Sequence, residues 1–390
     1  MKPVENWLSC GYAEGYYGKL PDWKDRHRLL QRLAALGMNR YLYAPKADPL
    51  HRRQWRTPYE DSWRQAFSDF CSYGSSMADS GSLIRIEAGI APGLDFDFTN
   101  WPASDDLTPL VAKAQQLKSD GAHSITLLMD DIEDRAKLTG HADEGEAHAG
   151  LANALSDALG EAVQLVPRVY ADSLAGDTPD YLPQLIASLD PAIPLVYCGD
   201  AVISRQPELE GTIPVQLGIS PEQLICWDNL YANDYCPRRL WLGPWEGRQG
   251  ISHIRLNPTG MVETDLLLLA MMRRGRDRKT WRQVLAEHEV PEAFLTIARW
   301  CDLPPTIPYT TPAASEAMPM PETRDQALIN AELEALQELC WNWQGPLQRE
   351  WYPVLFGLLQ EYLFVTGRMS PTRPEKLVGG PLNMIMENYR

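Results

Sequence analysis

Residues 124–134 read SITLLMDDIED, an apolar, partly β-branched run that stops at four carboxylates: Asp130, Asp131, Glu133 and Asp134. A strand that ends in a reactive cluster is the unit of a (β/α)8 barrel, whose active site is assembled at the carboxyl ends of parallel strands. Working outward, the same pattern recurs seven times. Strand candidates are Leu8–Glu14, Asn39–Ala44, Leu83–Ile90, Ser124–Met129, Gln164–Tyr170, Pro194–Cys198, Leu224–Asp228 and Ile251–Leu256. Helical-period stretches lie between them, such as Trp23–Leu36, where Leu29, Leu30, Leu33 and Leu36 share a face. Eight alternating units over residues 8–274 predict a (β/α)8 TIM barrel of ordinary size, about 250 residues, with a doubly wound open sheet as the other topology the alternation allows. Pro207, Pro214 and Pro221 leave the sixth unit room for only a short helix.

Past residue 275 the strand-like alternation ends. Lys279–His288, Pro291–Cys301, Asp325–Gln344 and Leu347–Arg368 are helical in period and rich in Leu, Trp and Ala. The expected organisation is a catalytic barrel over 1–274 followed by an α-helical C-terminal region over 275–390, with a Pro-rich connection at 303–323. The tryptophans at 281, 300, 341, 343 and 351 fit a helical core better than sugar platforms.

Composition narrows the function. The longest purely apolar stretch, Leu266 to Met272, is seven residues, where a membrane span needs roughly 18 or more. The opening MKPVENWLSCGYAEGYYG lacks the apolar region of a secretory signal. Against 52 acidic residues stand 36 basic ones, a net charge of −16 that lies mostly before residue 275 and repels nucleic acid and anionic membranes. Seven scattered cysteines with no C-x-x-C pair predict neither a disulfide framework nor a zinc site, and so a reducing cytoplasm.

The other strand ends carry polar or glycine clusters too: Glu14-Gly15-Tyr16-Tyr17-Gly18, Ala44-Pro45-Lys46, Gly93-Leu94-Asp95, Tyr170-Ala171-Asp172, Cys198-Gly199-Asp200, Trp227-Asp228-Asn229 and Leu256-Asn257-Pro258. The glycines at 11, 15 and 18 miss the dinucleotide fingerprint. Asp130 and Asp131 stand at the edge of a buried run, where desolvation and like-charge repulsion raise one carboxyl and make an acid/base pair. Two other readings of this cluster stay open, a solvated acidic turn capping the next helix and a metal site, although imidazole partners are missing from the neighbouring strand ends. Lys46 reads as a buried counter-ion or as a surface lysine. Tyr17, Tyr170 and Trp227 read as core aromatics or as walls of a pocket with polar tips. Residues 227–235, WDNLYANDY, concentrate the planar, bidentate groups that sugar hydroxyls require.

The segments CGYAEGYYG, GMNRYLYAPKADPLHRRQWR, APGLDFDF, LLMDDIED, WDNLYANDY with RRLWLGPWEGR, and LNP resemble the catalytic domain of glycoside hydrolase family 84, the O-GlcNAcase-like β-N-acetylglucosaminidases. The likeness spans about residues 8–274. It implies a (β/α)8 barrel, retention of anomeric configuration, and catalysis in which the sugar's own 2-acetamido oxygen is the nucleophile, with no cofactor and no metal. By the same resemblance Asp130 holds the acetamido N–H, and Asp131 protonates the leaving oxygen and later activates water. Gly15, Tyr17, Lys46, Asn229, Asp234 and Asn257 bind the sugar, Tyr170 positions the acetamido group and Trp227 walls its pocket. The implied partner is β-linked N-acetylglucosamine on a glycoprotein, glycopeptide or oligosaccharide. An endo-acting hyaluronidase would have to bind a polyanion against the −16 charge. A non-catalytic sugar- or peptide-binding protein on the same scaffold would have no use for intact Asp130, Asp131 and Asp234.

Overall fold

The structure, a computed structural model, describes residues 8–80, 83–132, 143–176, 178–236, 239–248, 250–277, 280–302 and 325–368. Glu133 and Asp134 of the acidic cluster, and the whole of the 303–323 connection, lie outside the described residues. The chain divides into two compact units, one running to Asn229 and resuming over Gly247–Gly260, the other made of Leu230–Glu246 and the chain from Met261 on. The β/α alternation extends to residue 274, whereas these units assign the segment after the seventh strand and the helix after the eighth to the C-terminal part.

Eight parallel strands close the first unit into a barrel in simple sequence order. They are β1 (Ser9–Glu14), β2 (Arg40–Tyr43), β3 (Arg85–Ile90), β4 (Ser124–Leu128), β5 (Gln164–Val166), β6 (Leu195–Tyr197), β7 (Leu224–Asp228) and β8 (His253–Leu256). Closure pairs Ser9 with His253 and Tyr12 with Leu256. Helices α1 (Trp23–Ala35), α2 (Asp61–Ser76), α3 (Leu107–Ser119), α4 (Glu144–Leu159), α5 (Tyr181–Ser188) and α6 (Ile213–Gln216) follow the first six strands. The α6 helix is four residues long, as its flanking prolines dictate. The fifth strand is shorter than its apolar pattern predicts. It stops at Val166 because Pro167 has no N–H to give the ladder, so Tyr170 sits on a loop.

Parallel strands buried on both faces need near-continuous apolar runs, and β7 is buried at every position. Polar residues inside the barrel come as satisfied sets. Near the strand starts, Arg255 binds Glu87 through Nε and Nη2 at 3.0 and 2.8 Å, and Gln164 donates to Glu87 at 3.1 Å. Glu14, at the end of β1, accepts Arg26 of α1 and the Tyr41 hydroxyl. Leaving out either partner would strand a buried charge, at a cost of about 3–5 kcal/mol.

In the second unit, α7 (Val262–Asp277), α8 (Trp281–Glu287), α9 (Ala293–Ile297), α10 (Gln326–Gln337) and α11 (Pro346–Val365) pack around Trp300 and Trp351, both buried. Glu350 accepts the backbone N–H groups of Glu263 and Thr264 at the start of α7, and Trp351 donates to Thr264 Oγ1 at 2.9 Å. Buried Glu332 gathers Arg299, Trp300 and Tyr362. Trp341 is the exception among these tryptophans, 52% exposed and edge-on to Tyr352 and Phe356.

Candidate active site

β4 delivers the carboxylate pair. After Leu128 the backbone makes one more ladder bond, Met129 N–H to Val166 O at 2.8 Å, and then leaves the sheet. Asp130 stays buried, while Asp131 turns outward with φ of +51°. A non-glycine residue in that region stores about 1–3 kcal/mol unless its surroundings hold it. They do: Arg52 Nη2 donates to the Asp131 carbonyl at 2.5 Å, and the Tyr17 and Tyr170 hydroxyls donate to Oδ2 and Oδ1, each at 3.0 Å.

Lys46, two residues beyond the Ala44 that follows β2, is a buried counter-ion. Its ammonium lies 2.5 Å from Asp130 Oδ2 and 3.8 Å from Asp131 Oδ2, with the lysine side chain 1% and the Asp130 side chain 9% exposed. The other Asp130 oxygen, Oδ1, is buried and has no hydrogen-bond partner among the described residues. A buried unsatisfied acceptor costs about 1–3 kcal/mol, so its place beside a carboxylate pair marks it as an atom awaiting a donor.

The two carboxyls are driven apart. Burial pushes Asp130 above the usual carboxylate range, with the Lys46 charge pulling it down and the Asp131 charge adding to the rise. Burial also acts to raise Asp131, but Lys46, the Tyr170 and Tyr17 hydroxyls and Arg52 together outweigh it and hold Asp131 low. Its side chain is 30% exposed. Burial, then the Asp131 charge, keeps the Tyr17 hydroxyl protonated with its pKa pushed up to about 12.

Across the mouth, the ends of β1, β7 and β8 form a linked wall. Trp227 Nε1 and Asn257 Nδ2 both donate to Asn229 Oδ1 at 2.9 Å, Asn229 Nδ2 donates to Val202 O at 3.0 Å, and Gly15 N–H donates to Asn257 Oδ1 at 3.2 Å. A Cβ on Gly15 would overlap the Trp227 ring and come 3.2 Å from Asn257 Oδ1, so only glycine lets β1 approach this wall. Cys198, buried at the end of β6, sits 3.5 Å from Asn229 Nδ2.

The first unit thus brings together Asp130, Asp131, Lys46, Tyr17 and Tyr170 in one network and Gly15, Trp227, Asn229 and Asn257 in another. Asp234 lies in the second unit, on 230–246, where its Oδ1 accepts the Tyr235 amide at 2.9 Å. Other acids at strand ends are structural. Asp95 binds Arg56 and Trp55, Asp172 holds Tyr197, and Asp228 pairs with Arg248 through both oxygens. Sequence reasoning did not single out Arg52 or His51. His51 donates from Nδ1 to Gly89 O at 2.9 Å, its Nε2 has no partner among the described residues, and burial lowers its pKa to about 3. Their signal lay in the quoted PLHRRQWR, where nothing distinguishes them from the neighbouring arginines. Among the described residues no group of three or more His, Cys, Asp or Glu could hold a metal ion.

A parallel barrel with paired carboxylates at its carboxyl-terminal mouth is an architecture shared by many glycoside hydrolases. Residues 10–264 match the family model described as beta-N-acetylglucosaminidase, and the chain belongs to that family. It is 31% identical over 250 residues to the protein O-GlcNAcase of Rattus norvegicus, a match covering 61% of this chain and 26% of that protein. The Mus musculus protein O-GlcNAcase matches equally, 31% over 251 residues with the same coverage. The chain therefore matches about a quarter of the length of these curated relatives. Among solved structures, a mutant O-GlcNAc hydrolase of Thermobaculum terrenum superposes with a TM-score of 0.73 at 20% identity, covering 98% of this chain and 90% of that one, and shares its fold.

Proposed function

We propose that this chain is a retaining, exo-acting β-N-acetylglucosaminidase that uses the substrate's 2-acetamido oxygen as nucleophile and removes N-acetylglucosamine from proteins. The observation that carries the reading is Asp130, a buried carboxylate fixed by Lys46 through one oxygen and left with its other oxygen unpartnered. The acetamido N–H is the donor that oxygen lacks. Taking it turns the carbonyl oxygen toward the anomeric carbon and stabilises the positive charge that develops on the acetamido group as the ring closes.

In the first step the acetamido oxygen bonds to C1, the C1–O bond breaks, and Asp131 gives its proton to the departing oxygen. The neutral oxazoline forms as Asp130 takes up the N–H proton. In the second step Asp131, now a carboxylate, removes a proton from water as the water oxygen bonds to C1, the C1–oxazoline oxygen bond breaks, the oxazoline nitrogen regains its proton from Asp130 to restore the acetamido group, and the sugar leaves with its configuration retained. In the free protein burial biases Asp130 upward while Lys46, the two tyrosine hydroxyls and Arg52 bias Asp131 downward, the opposite of the order the first step needs. Substrate supplies the reversal. A donor on Asp130 Oδ1 favours its ionised form, while a sugar that covers the exposed face of Asp131 and draws Tyr170 toward the acetamido group removes what holds Asp131 low.

Gly15, Tyr17, Lys46, Trp227, Asn229 and Asn257 then bind and wall the sugar, Tyr170 positions the acetamido group, and Asp234 accepts hydrogen bonds from sugar hydroxyls, as the resemblance assigns. A neutral sugar suits a chain of net charge −16, which disfavours nucleic acid and anionic membranes. No helix among the described residues is long and apolar enough to cross a membrane. Seven free thiols, six of them buried, support a reducing, cytoplasmic setting. Assaying an aryl β-N-acetylglucosaminide beside a glycosylated peptide tests the proposal: turnover of both supports it, and turnover of neither removes it.

A further inference from the structure

We propose that Arg52 is a positioning residue for the acid, a clamp that sets where the Asp131 carboxyl points and which way the Tyr17 hydroxyl proton faces. This rests on the reading of Asp131 as proton donor. Arg52 follows β2 and is itself buried, yet it reaches to residues from two other strand ends. Its Nη2 donates to the Asp131 carbonyl at 2.5 Å, its Nη1 donates to the Tyr17 hydroxyl, and its guanidinium lies 5.7 Å from the centre of the Tyr17 ring.

Two consequences follow from the chemistry of a guanidinium, which donates and never accepts. The Tyr17 oxygen receives Arg52's hydrogen, so Tyr17's own proton is directed onward to Asp131 Oδ2 at 3.0 Å. The backbone of Asp131, with φ of +51°, is held from its carbonyl side by a rigid planar fork. A lysine at 52 has a single charged centre and cannot keep both partners in the same geometry. Arg52 makes no bond to Lys46 or to either carboxylate oxygen of Asp130, whose partner is Lys46. Its charge also reaches Asp130, but as the weakest of the influences on that carboxyl, so its larger effect should fall on the proton-donating step.

The test uses Arg52→Met and Arg52→Lys in the full chain, with Asp131→Ala as the standard, and reads single-turnover rates on an alkyl glycoside or glycopeptide and on a nitrophenyl glycoside. A misplaced acid costs roughly 10²-fold where protonation is needed, so Arg52→Met should lose about that on the alkyl glycoside and less than about fivefold on the nitrophenyl one. Arg52→Lys should fall between wild type and Arg52→Met. Binding of a sugar thiazoline should stay within about threefold of wild type, and that binding also certifies the fold of each variant. Equal losses on both substrates, weakened thiazoline binding, or no loss would each overturn the inference. If Asp131→Ala shows the leaving-group dependence and Arg52→Met does not, the inference alone fails. If Asp131→Ala lacks it as well, the assignment of the acid fails and takes this inference with it.

Discussion

Replacing Lys46 by methionine removes the charge bonded to Asp130, a carboxylate that the protein buries. The pair is 2.5 Å apart with both side chains nearly inaccessible, and breaking such a pair from one side costs about 3–5 kcal/mol. Asp130 escapes part of that cost by taking a proton, since burial already holds its carboxyl high and Lys46 is the strongest opposing influence. At 1.36 kcal/mol per pKa unit, a cost of about 3 kcal/mol corresponds to roughly two further units upward. The sign follows from linkage. A carboxyl raised on folding contributes stability that is full below its unfolded pKa and is lost as pH rises through the folded one. The gap between wild type and Lys46→Met should therefore be small near pH 4, widen by up to about 1.4 kcal/mol per pH unit, and level off near 3 kcal/mol above the variant's Asp130 pKa. Urea titrations of both proteins between pH 4 and 8.5 measure this, and the acid limb of kcat/KM should move to higher pH in the variant. A gap independent of pH, with an unmoved acid limb, would refute the coupling of Lys46 to Asp130.

Gly15→Ala should keep the fold and lose ligand. Its methyl group would displace the Trp227 ring, and an overpacking strain of about 1–3 kcal/mol converts to roughly a 5- to 150-fold loss of thiazoline affinity, read by inhibition of aryl glycoside turnover. A thiazoline that mimics the closed acetamido intermediate should itself bind roughly 10²-fold or more tighter than N-acetylglucosamine. Equal affinities would make the acetamido group a recognition handle only. Asp234→Ala should weaken both ligands by about 1–3 kcal/mol through unpaired hydroxyls, and unchanged inhibition constants would remove that contact.

Periodicity located all eight strands, because each buried parallel strand needs an apolar run and each run ends where polar residues start. The apolar pattern carries the fifth strand on to Tyr170, four residues past its end at Val166, because the apolar residues around Tyr170 outweigh Pro167 in the pattern. The place of Asp130 and Asp131 just past the end of β4 is legible for the same reason as the strands. What the pattern could not separate was function from support: Glu14, Asp95, Asp172 and Asp228 occupy equivalent strand ends, and their arginine or tyrosine partners decide their roles. Lys46 was open between surface and counter-ion until its burial settled it. Arg52 was illegible because one of its partners is a backbone carbonyl 79 positions away, an atom every residue has. The tryptophans at 300, 343 and 351 are buried as helical spacing predicts, while Trp341 faces outward at the turn after α10.

The central claim is that two adjacent carboxylates divide the work, Asp130 on the acetamido group and Asp131 on the leaving oxygen. Single-turnover rates of Asp130→Ala and Asp131→Ala on a nitrophenyl glycoside and on an alkyl glycoside test it most directly, since slow breakdown of the intermediate cannot then mask the first step. Asp131→Ala should lose roughly 10²–10⁴-fold on the alkyl glycoside and less than about tenfold where the leaving group is already a stable anion. Asp130→Ala should damage both substrates to a similar degree, because the acetamido group must be held whatever departs. Leaving-group dependence on Asp130 would reverse the two roles, and dependence on neither would remove the pair from proton donation to the leaving oxygen.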